Sequence, residues 1–279
     1  MIGQAERVAE LRRLQQKALV TGLNKVITFT SGKGGTGKTF TAVNTAFLLS
    51  KLGARVLLID FDTNLSNINI LLNYHPQTTI FQYLQKQRLF NEVIVNYAEN
   101  FDIIFGDSGR VEYPEPDEKL TGDLMRGIEK VEDDYDFIIL DTASGAGNGI
   151  VSLLCKCDIN IIVATPEPTA VMDAYVLVKL LKANGYRKEK YVLFNKCINQ
   201  SSAETGFDNL INACRHFLGE ELSMLGSIQF TQEATQSIID QKLIAESMPE
   251  AQITAQLNEI AARILKFKQL ANINQAIAG

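Results

Sequence analysis

The residues that decide the fold are VITFTSGKGGTGKTFTAVNTAFLLSKL, positions 26–52. An apolar run opens this stretch, a glycine-rich segment follows, and the remainder has the apolar spacing of a helix. Positions 32–39 fit the pattern G-x-x-x-x-G-K-[ST], in which successive backbone N–H groups and the start of a helix bind phosphate. The strand–loop–helix context favours this interpretation over a chance glycine-rich turn. We predict a nucleotide site formed by Gly32, Gly34, Gly35, Thr36, Gly37, Lys38, Thr39 and Phe40.

Beyond this loop, short apolar runs alternate with helical stretches, which is typical of successive βα units on a parallel sheet. The predicted strands are Val26–Ser31, Val56–Asp60, Phe101–Phe105, Phe137–Asp141, Ile159–Thr165, Tyr191–Asn195 and Met224–Ile228. The predicted helices are Lys38–Leu52, Asp117–Glu132, Thr169–Asn184, Thr205–Phe217 and Ala251–Lys268. The fold class is therefore α/β, a doubly wound, mainly parallel sheet with helices on both faces. We expect one P-loop domain at 23–265, a helical arm at 1–22 and an amphipathic tail at 266–279.

Three carboxylates follow apolar runs at predicted strand ends. Asp60 ends RVLLID, Asp62 comes two residues later, and Asp141 ends DFIILD. Ligands of open parallel sheets bind at the carboxyl ends of the strands, so all three side chains can face the phosphates. A single aspartate in such a place is often a helix N-cap, but three beside a phosphate loop favour a metal site. We predict that Thr39 and Asp141 hold Mg²⁺, Asp141 directly or through water, and that Lys38 reaches the β- and γ-phosphates.

Composition and charge exclude several classes of protein. Apolar residues form 46% of the 279, which is enough for a sizeable core, and the net charge of −5 argues against a general polyanion binder, so we expect no nucleic acid partner. The charged first residues do not form a signal peptide, and no apolar run approaches the ~20 residues that span a bilayer, so we expect a cytoplasmic protein. Cys155 and Cys157 could form a metal site, but the absence of any C-x-x-C pair favours reduced, buried thiols.

Lys33 adds a second lysine to the phosphate loop, which reads K-G-G-T-G-K-T. This resembles the deviant Walker A motif of the MinD/ParA/nitrogenase-iron-protein group, within the SIMIBI class of P-loop NTPases. The segment LLIDFDTNLSNINILL resembles the second motif of that group, and YVLFNK resembles the strand that ends in its adenine-reading asparagine, here Asn195. The segment TPEPTAVMDAYVLVKLL is most similar to the FlhG type, the MinD-like regulators of flagellar number. The resemblance covers about residues 24–265.

The resemblance implies an ATPase that binds Mg²⁺ and ATP, forms a homodimer around ATP and releases ADP. Lys38 and Lys33 would both act in catalysis, Lys33 by reaching across the dimer to the phosphates of the partner subunit. This places positive charge where phosphoryl transfer develops negative charge. Asp62 would position or activate the attacking water, and Asp60 would support Mg²⁺ through water. Asn67 would help order the dimer interface.

The resemblance also implies that Glu167 and Pro168 lie near the base. The sequence departs from the group at three positions. Asn64 replaces a usual glycine, Asn69 replaces an acidic residue, and Phe40 stands where many relatives have threonine or serine. We expect these departures to affect ATP turnover and the details of the dimer rather than nucleotide binding.

Both ends of the chain carry candidate partner segments. Gln4 belongs to a stretch that partly resembles the D-Q-A-x-x-L-R element by which FlhG proteins stimulate the GTPase FlhF. The final stretch resembles the amphipathic helix of MinD-like proteins, with an apolar face formed by Phe267, Leu270, Ile273 and Ile277. Such a helix binds an anionic membrane surface weakly, and packing on its own domain is the alternative.

The expected function is that of a dimer-switching spatial regulator that controls flagellar number or placement at the inner face of the cell membrane. Its partners would then include the FlhF GTPase and flagellar basal-body or regulatory proteins. The alternatives are a MinD-like regulator of the division site and a ParA-like ATPase that partitions DNA or cargo. The acidic balance of the chain argues against DNA binding.

Overall fold

The framework of the protein is an eight-stranded sheet. The computed structural model describes residues 25–62, 66–107 and 116–278, apart from the side chains of 268–278. The strands are β1 (Val26–Thr30), β2 (Val56–Phe61), β3 (Val95–Ala98), β4 (Phe101–Ile104), β5 (Phe137–Thr142), β6 (Ile159–Ala164), β7 (Lys190–Cys197) and β8 (Ser223–Gln229). Their order is β3-β4-β2-β5-β1-β6-β7-β8. Within the described residues only β3 pairs antiparallel, so the predicted doubly wound, mainly parallel sheet is confirmed.

Helices cover both faces of this sheet. They are α1 (Lys38–Lys51), α2 (Ile68–Leu71), α3 (Ile80–Leu84), α4 (Glu118–Ile128), α5 (Asn148–Lys156), α6 (Pro168–Ala183), α7 (Gln200–Ala213), α8 (Gln232–Ile239), α9 (Ile244–Ser247) and α10 (Gln252–Ala278). Single 3₁₀ turns occupy Phe90–Val93 and Glu132–Asp134, and a π-helical turn occupies Cys214–Leu218. Successive strand residues face opposite sides, so Ile161 joins the core shared with α1 and α10, whereas Ile162 joins the core shared with α6 and α7. Both faces are thus apolar and covered, as parallel sheets require.

The predicted elements are present, and the strand bounds agree to within two residues. The sequence patterns did not predict the edge strand β3 or the helices α2, α3, α5, α8 and α9. The start of α7 also lies at Gln200 rather than Thr205. Its first turn is polar, and the Asn199 side chain fixes it by accepting the Ser202 N–H at 2.9 Å. Capping chemistry rather than apolar periodicity therefore decides where this helix begins.

The last helix crosses the predicted boundary between the domain and its tail. The backbone of α10 continues without a break to Ala278. Phe267 is 8% exposed and stacks on Tyr191 of β7, with ring centroids 4.6 Å apart. Phe267 therefore belongs to the core, and its assignment to a membrane tail is wrong.

Two other predictions concern residues beyond this description. The side chains of Leu270, Ile273 and Ile277, like Gln4 of the N-terminal arm, lie outside the described residues. Among the helices of the described part, none is both long enough and apolar enough to cross a membrane. The roles of the arm and of the tail beyond Phe267 stay predictions.

Candidate nucleotide site

The phosphate loop lies at the middle of the sheet, at the carboxyl end of β1. The chain turns from β1 toward β2 on one side, whereas β6, β7 and β8 extend on the other. The loop therefore lies at the topological switch point, where open α/β sheets bind ligands. Gly35 and Gly37 adopt left-handed backbone with φ of 80° and 84°. A Cβ on Gly37 would also collide with the Asn195 side-chain amide, so the loop requires glycine there.

The lysine at the end of the loop is paired with a strand-end carboxylate. The Lys38 Nζ donates to Asp141 Oδ1 at 2.6 Å, and both side chains are almost fully buried. Among the described residues, no hydrogen-bond partner reaches the other oxygen, Asp141 Oδ2. The structure thus brings together two residues that the sequence places 103 positions apart.

A second buried carboxylate lies beside the first because β2 and β5 pair in parallel with Asp60 opposite Asp141. Asp60 accepts the Ser66 hydroxyl at 2.7 Å and the backbone N–H groups of Asp62 and Ile68, each at 3.2 Å. Burial, with the nearby charge of Asp141, raises the pKa of Asp60 to about 7. Burial also raises the pKa of Asp141, and the adjacent Lys38 ammonium opposes that rise. The Lys38 ammonium is therefore the charge that stabilises the carboxylate of Asp141 in this buried pair.

The oxygen atoms at this end of the sheet suit Mg²⁺. Thr39 Oγ1 lies 3.5 Å from Lys38 Nζ, next to the Asp141 carboxylate with its unpartnered oxygen. Mg²⁺ prefers hard oxygen ligands and is usually held by one or two carboxylates with waters and phosphates. The described residues contain no group of three His, Cys, Asp or Glu side chains that could hold a metal ion. The donor set fits Mg²⁺ bound together with a nucleotide.

The additional lysine of the loop contacts its own chain. The Lys33 Nζ lies 3.2 Å from Thr169 Oγ1 and 3.6 Å from Glu167 Oε2, at the start of α6. The same carboxylate also accepts the Thr165 hydroxyl. Both partners of the ion pair are partly exposed. Lys33 is therefore held near the phosphate loop by a contact that solvent weakens.

An apolar pocket opens beside the loop. Its volume is about 380 Å³, and it is lined by Gly35, Gly37, Phe40, Asn195, Lys196, Gln229, Phe230, Thr231, Ala234, Thr235, Ile238, Ile239 and Ile253. The residues of α8 and of the turn before it were missed because they follow the weakest predicted strand. The sequence signal that could have revealed these pocket residues is the pair Ile238 and Ile239, two exposed apolar residues at the end of an otherwise polar helix.

The pocket contains some of the residues predicted near the base and not others. Asn195 and Phe40 line it, whereas Glu167 and Pro168 do not. Glu167 contacts Lys33, and Pro168 lines a separate groove of about 450 Å³ between α6 and α7. The place of Glu167 and Pro168 near the base stays a prediction.

Comparison with known proteins is in agreement with a nucleotide site in this part of the chain. Residues 24–192 match the family model described as AAA domain. The chain belongs to the AAA domain family. Within it, the chain is of the MinD/ParA type with a deviant Walker A motif, most like the FlhG proteins, and it is an ATPase.

Two curated relatives align with this AAA-domain protein along most of their length. The chain is 27% identical over 248 residues to the antiactivator FleN of Pseudomonas aeruginosa, covering 89% of each chain. It is 27% identical over 247 residues to the flagellum site-determining protein YlxH of Helicobacter pylori, covering 88% of this chain and 83% of that one. The septum site-determining protein MinD of Pyrococcus horikoshii, solved with Mg-ADP, shares the fold. Its TM-score is 0.73 at 20% identity, covering 88% of this chain and 98% of that one.

The remaining site residues of this AAA domain lie on the segment after β2. Asp62 is half-buried, and its charge contributes to raising the pKa of Asp141, so the two carboxylates lie near one another. Asn67 is exposed at the start of α2. Asn64 lies outside the described residues. The catalytic role of Asp62 and the interface role of Asn67 stay predictions.

Proposed function

We propose that this ATPase binds Mg–ATP at the phosphate loop, dimerises around it, and uses hydrolysis to cycle as a spatial regulator of flagellar number or placement. The observation that carries the proposal is the convergence of Lys38, Asp60 and Asp141 at the carboxyl ends of neighbouring strands, next to a phosphate loop that also carries Lys33. The flagellar part is supported by the name of the flagellum site-determining protein YlxH, which aligns with this chain along 83% of its length.

ATP binding exchanges the partners of the loop lysine. The Lys38 ammonium would leave Asp141 for the β- and γ-phosphates, and Asp141 with Thr39 would then face the metal. Asp60 is held by the Ser66 hydroxyl and two backbone N–H groups. Its carboxylate would orient the water molecules bound to that metal rather than bind the metal directly. When bound, Mg²⁺ supplies positive charge that neutralises the phosphate oxygens.

The apolar pocket favours adenine as the base. Phe40, Phe230 and Ile238 offer apolar surface for a planar ring, and Asn195 offers an amide. Guanine presents N–H donors on its pairing edge, and a buried carboxylate would be the natural acceptor for them. Within the described residues, the lining of the pocket contains no aspartate or glutamate. We therefore propose ATP rather than GTP as the substrate.

Hydrolysis would need a positioned water and extra positive charge. Asp62 is the carboxylate proposed to position that water, because it follows Asp60 on the segment between β2 and α2. Lys33 is proposed to supply the charge to the phosphates of the partner subunit after leaving Glu167. ATP would thereby join the two subunits, and loss of the γ-phosphate would release them.

The cellular setting belongs to the same proposal. The protein would act in the cytoplasm and bind the inner face of the membrane through the last part of α10, after Phe267. The FlhF GTPase and basal-body proteins are the proposed partners. A regulator of division sites is the second candidate, because relatives named MinD align with part of the chain, such as that of Synechocystis at 32% identity over 180 residues.

The test combines binding and phenotype. Calorimetry should show Mg–ATP binding by the wild type and none by Lys38→Ala, and sedimentation should show an ATP-dependent dimer that Lys33→Ala does not form. In cells lacking the gene, flagella counted by electron microscopy should change in number or position, and Lys33→Ala should not restore them. A wild type that binds no Mg–ATP would refute the nucleotide site. Unchanged flagella with altered septa would favour the division-site candidate.

A further inference from the structure

Two neighbouring side chains at the end of β7 donate hydrogen bonds to the backbone of the phosphate loop. The Asn195 Nδ2 donates to the carbonyl oxygen of Thr36 at 2.8 Å. The Lys196 Nζ donates to the carbonyl oxygen of Gly35, also at 2.8 Å. The loop is thus tied to a strand about 160 residues further along the chain. Both contacts hold carbonyl groups, which cannot themselves bind phosphate.

Holding those carbonyls fixes the direction of two N–H groups. In a trans peptide, the C=O of one residue and the N–H of the next point to opposite sides. The carbonyl of Gly35 shares its peptide unit with the N–H of Thr36, and the carbonyl of Thr36 shares its unit with the N–H of Gly37. Each carbonyl that is held outward therefore turns an N–H group toward the inside of the loop, where an anion binds.

The backbone at Lys196 has an unusual conformation that makes these two hydrogen bonds possible. Its φ is 55°, in the left-handed region that residues with a Cβ seldom adopt. The pairing of β7 with β8 shifts register between Phe194 and Cys197, around this residue. Its N–H donates to Asn195 Oδ1 at 2.9 Å, which leaves the Asn195 Nδ2 facing the loop. Backbone strain of this kind is maintained at functional sites when the surroundings hold it.

We infer that Lys196, together with Asn195, pre-organises the phosphate loop for anion binding, and that Lys196 is a positioning residue of this ATPase. The inference rests on the proposed function, since it assigns a partner to the phosphate site itself. Asn195 thereby has two tasks, because its amide both holds the loop and lines the base pocket. Lys196 is exposed and also lines the pocket, so its ammonium adds positive charge beside the bound nucleotide.

The test compares three variants. Lys196→Met removes the ammonium and keeps the length of the side chain, and Lys196→Arg keeps a charged donor. Lys86→Met is the matched control, because Lys86 is another exposed lysine with left-handed backbone (φ 60°) and does not line the pocket. We expect Lys196→Met to raise the Kd and the KM for ATP about tenfold with kcat within about twofold, because it loses one charged hydrogen bond to the loop. Lys196→Arg and Lys86→Met should bind within about threefold of the wild type.

A second measurement does not depend on nucleotide. In the free protein, Lys196→Met should lower the NMR backbone order parameters of Thr36 and Gly37, because the loop loses one of its two fixed carbonyl groups, while those of the central strands stay unchanged. A purely structural role would instead lower the midpoint of thermal unfolding and leave the Kd of the folded protein unchanged. Order parameters like those of the wild type at both residues, or a Kd like that of Lys86→Met, overturn the inference. If the wild type binds no ATP, the proposed function fails, and the order parameters alone then decide the inference.

Discussion

Replacing Lys38 by methionine should destabilise the nucleotide-free protein as well as abolish ATP binding. The side chains of Lys38 and Asp141 are 5% and 0% exposed and are joined at 2.6 Å. Methionine would leave the Asp141 carboxylate buried without its cation, beside Asp60 and with one oxygen already unpartnered in the described structure. Removing one partner of a buried ion pair costs about 3–5 kcal/mol. For a protein of this size, 1 kcal/mol shifts the unfolding midpoint by about 2–4 °C, so we expect Lys38→Met to melt roughly 10 °C lower.

A second substitution separates stability from binding. Asp141→Asn in the Lys38→Met background removes the uncompensated charge and keeps nearly the same volume. The double variant should therefore regain at least half of the lost unfolding free energy, while its ATP affinity stays unmeasurable because the ammonium is still absent. Asp141→Asn alone should also be destabilised, because it leaves the Lys38 ammonium buried without an anion. The coupling between the two substitutions measures the pair itself.

Thermal and urea unfolding without nucleotide, at one fixed pH and salt concentration, measure all four proteins of this cycle. Calorimetry with Mg–ATP then measures binding on the same samples. A Lys38→Met protein whose unfolding free energy lies within about 1 kcal/mol of the wild-type value would refute the reasoning, because removing the cation of a buried carboxylate should cost about 3–5 kcal/mol. A double variant no more stable than Lys38→Met would refute it as well.

Three further predictions follow from neighbouring contacts. Glu167→Gln should strengthen the ATP-dependent dimer up to about fivefold in sedimentation, because the exposed pair that it removes holds Lys33 by less than about 1 kcal/mol; a weaker dimer would contradict this. Asp62→Ala should bind Mg–ATP normally but hydrolyse it about 10²–10⁴-fold more slowly in single turnovers, and near-wild-type hydrolysis would remove Asp62 from the catalytic residues. Phe267→Ala should lower the unfolding free energy by about 3 kcal/mol, because the ring stacks on Tyr191 within the core. The same variant should bind anionic vesicles as the wild type does, and lost vesicle binding with unchanged stability would restore Phe267 to the membrane tail.

The centre of the fold and the phosphate site follow closely from local sequence patterns. Strands such as β2 and β5 are continuous apolar runs, which are recognisable because both faces of a parallel sheet are buried. Asp60 and Asp141 come last or nearly last in those runs, so parallel pairing brings them together whatever the loops do. The direct ion pair between Lys38 and Asp141 needed the structure, as did the contacts of Asn195 and Lys196 with the phosphate loop.

Features that depend on contacts between distant segments could not be predicted. The apolar pocket beside the phosphate loop is lined by Phe230 and by residues of α8, which contribute apolar side chains to a cavity rather than to the core, so periodicity gives no clear signal. The resemblance places Glu167 and Pro168 near the base, but it could not predict the contact of Glu167 with Lys33 at the start of α6. The position of Phe267 depends on its packing against Tyr191, a contact that the amphipathic pattern of the tail cannot distinguish from a lipid-facing helix.

The two loop lysines are held with very different strength, and this difference orders the events of the proposed cycle. Lys38 is buried against Asp141, so it leaves only when a multiply charged phosphate takes its place, and nucleotide binding must come first. Lys33 is held by a carboxylate that is 65% exposed, so solvent and salt loosen it easily. Once both subunits have bound ATP, a small gain in interaction free energy per lysine is enough to move Lys33 from Glu167 to the phosphates bound by the partner subunit. Salt should therefore weaken the hold on Lys33 far more than the hold on Lys38, because only the exposed pair is screened.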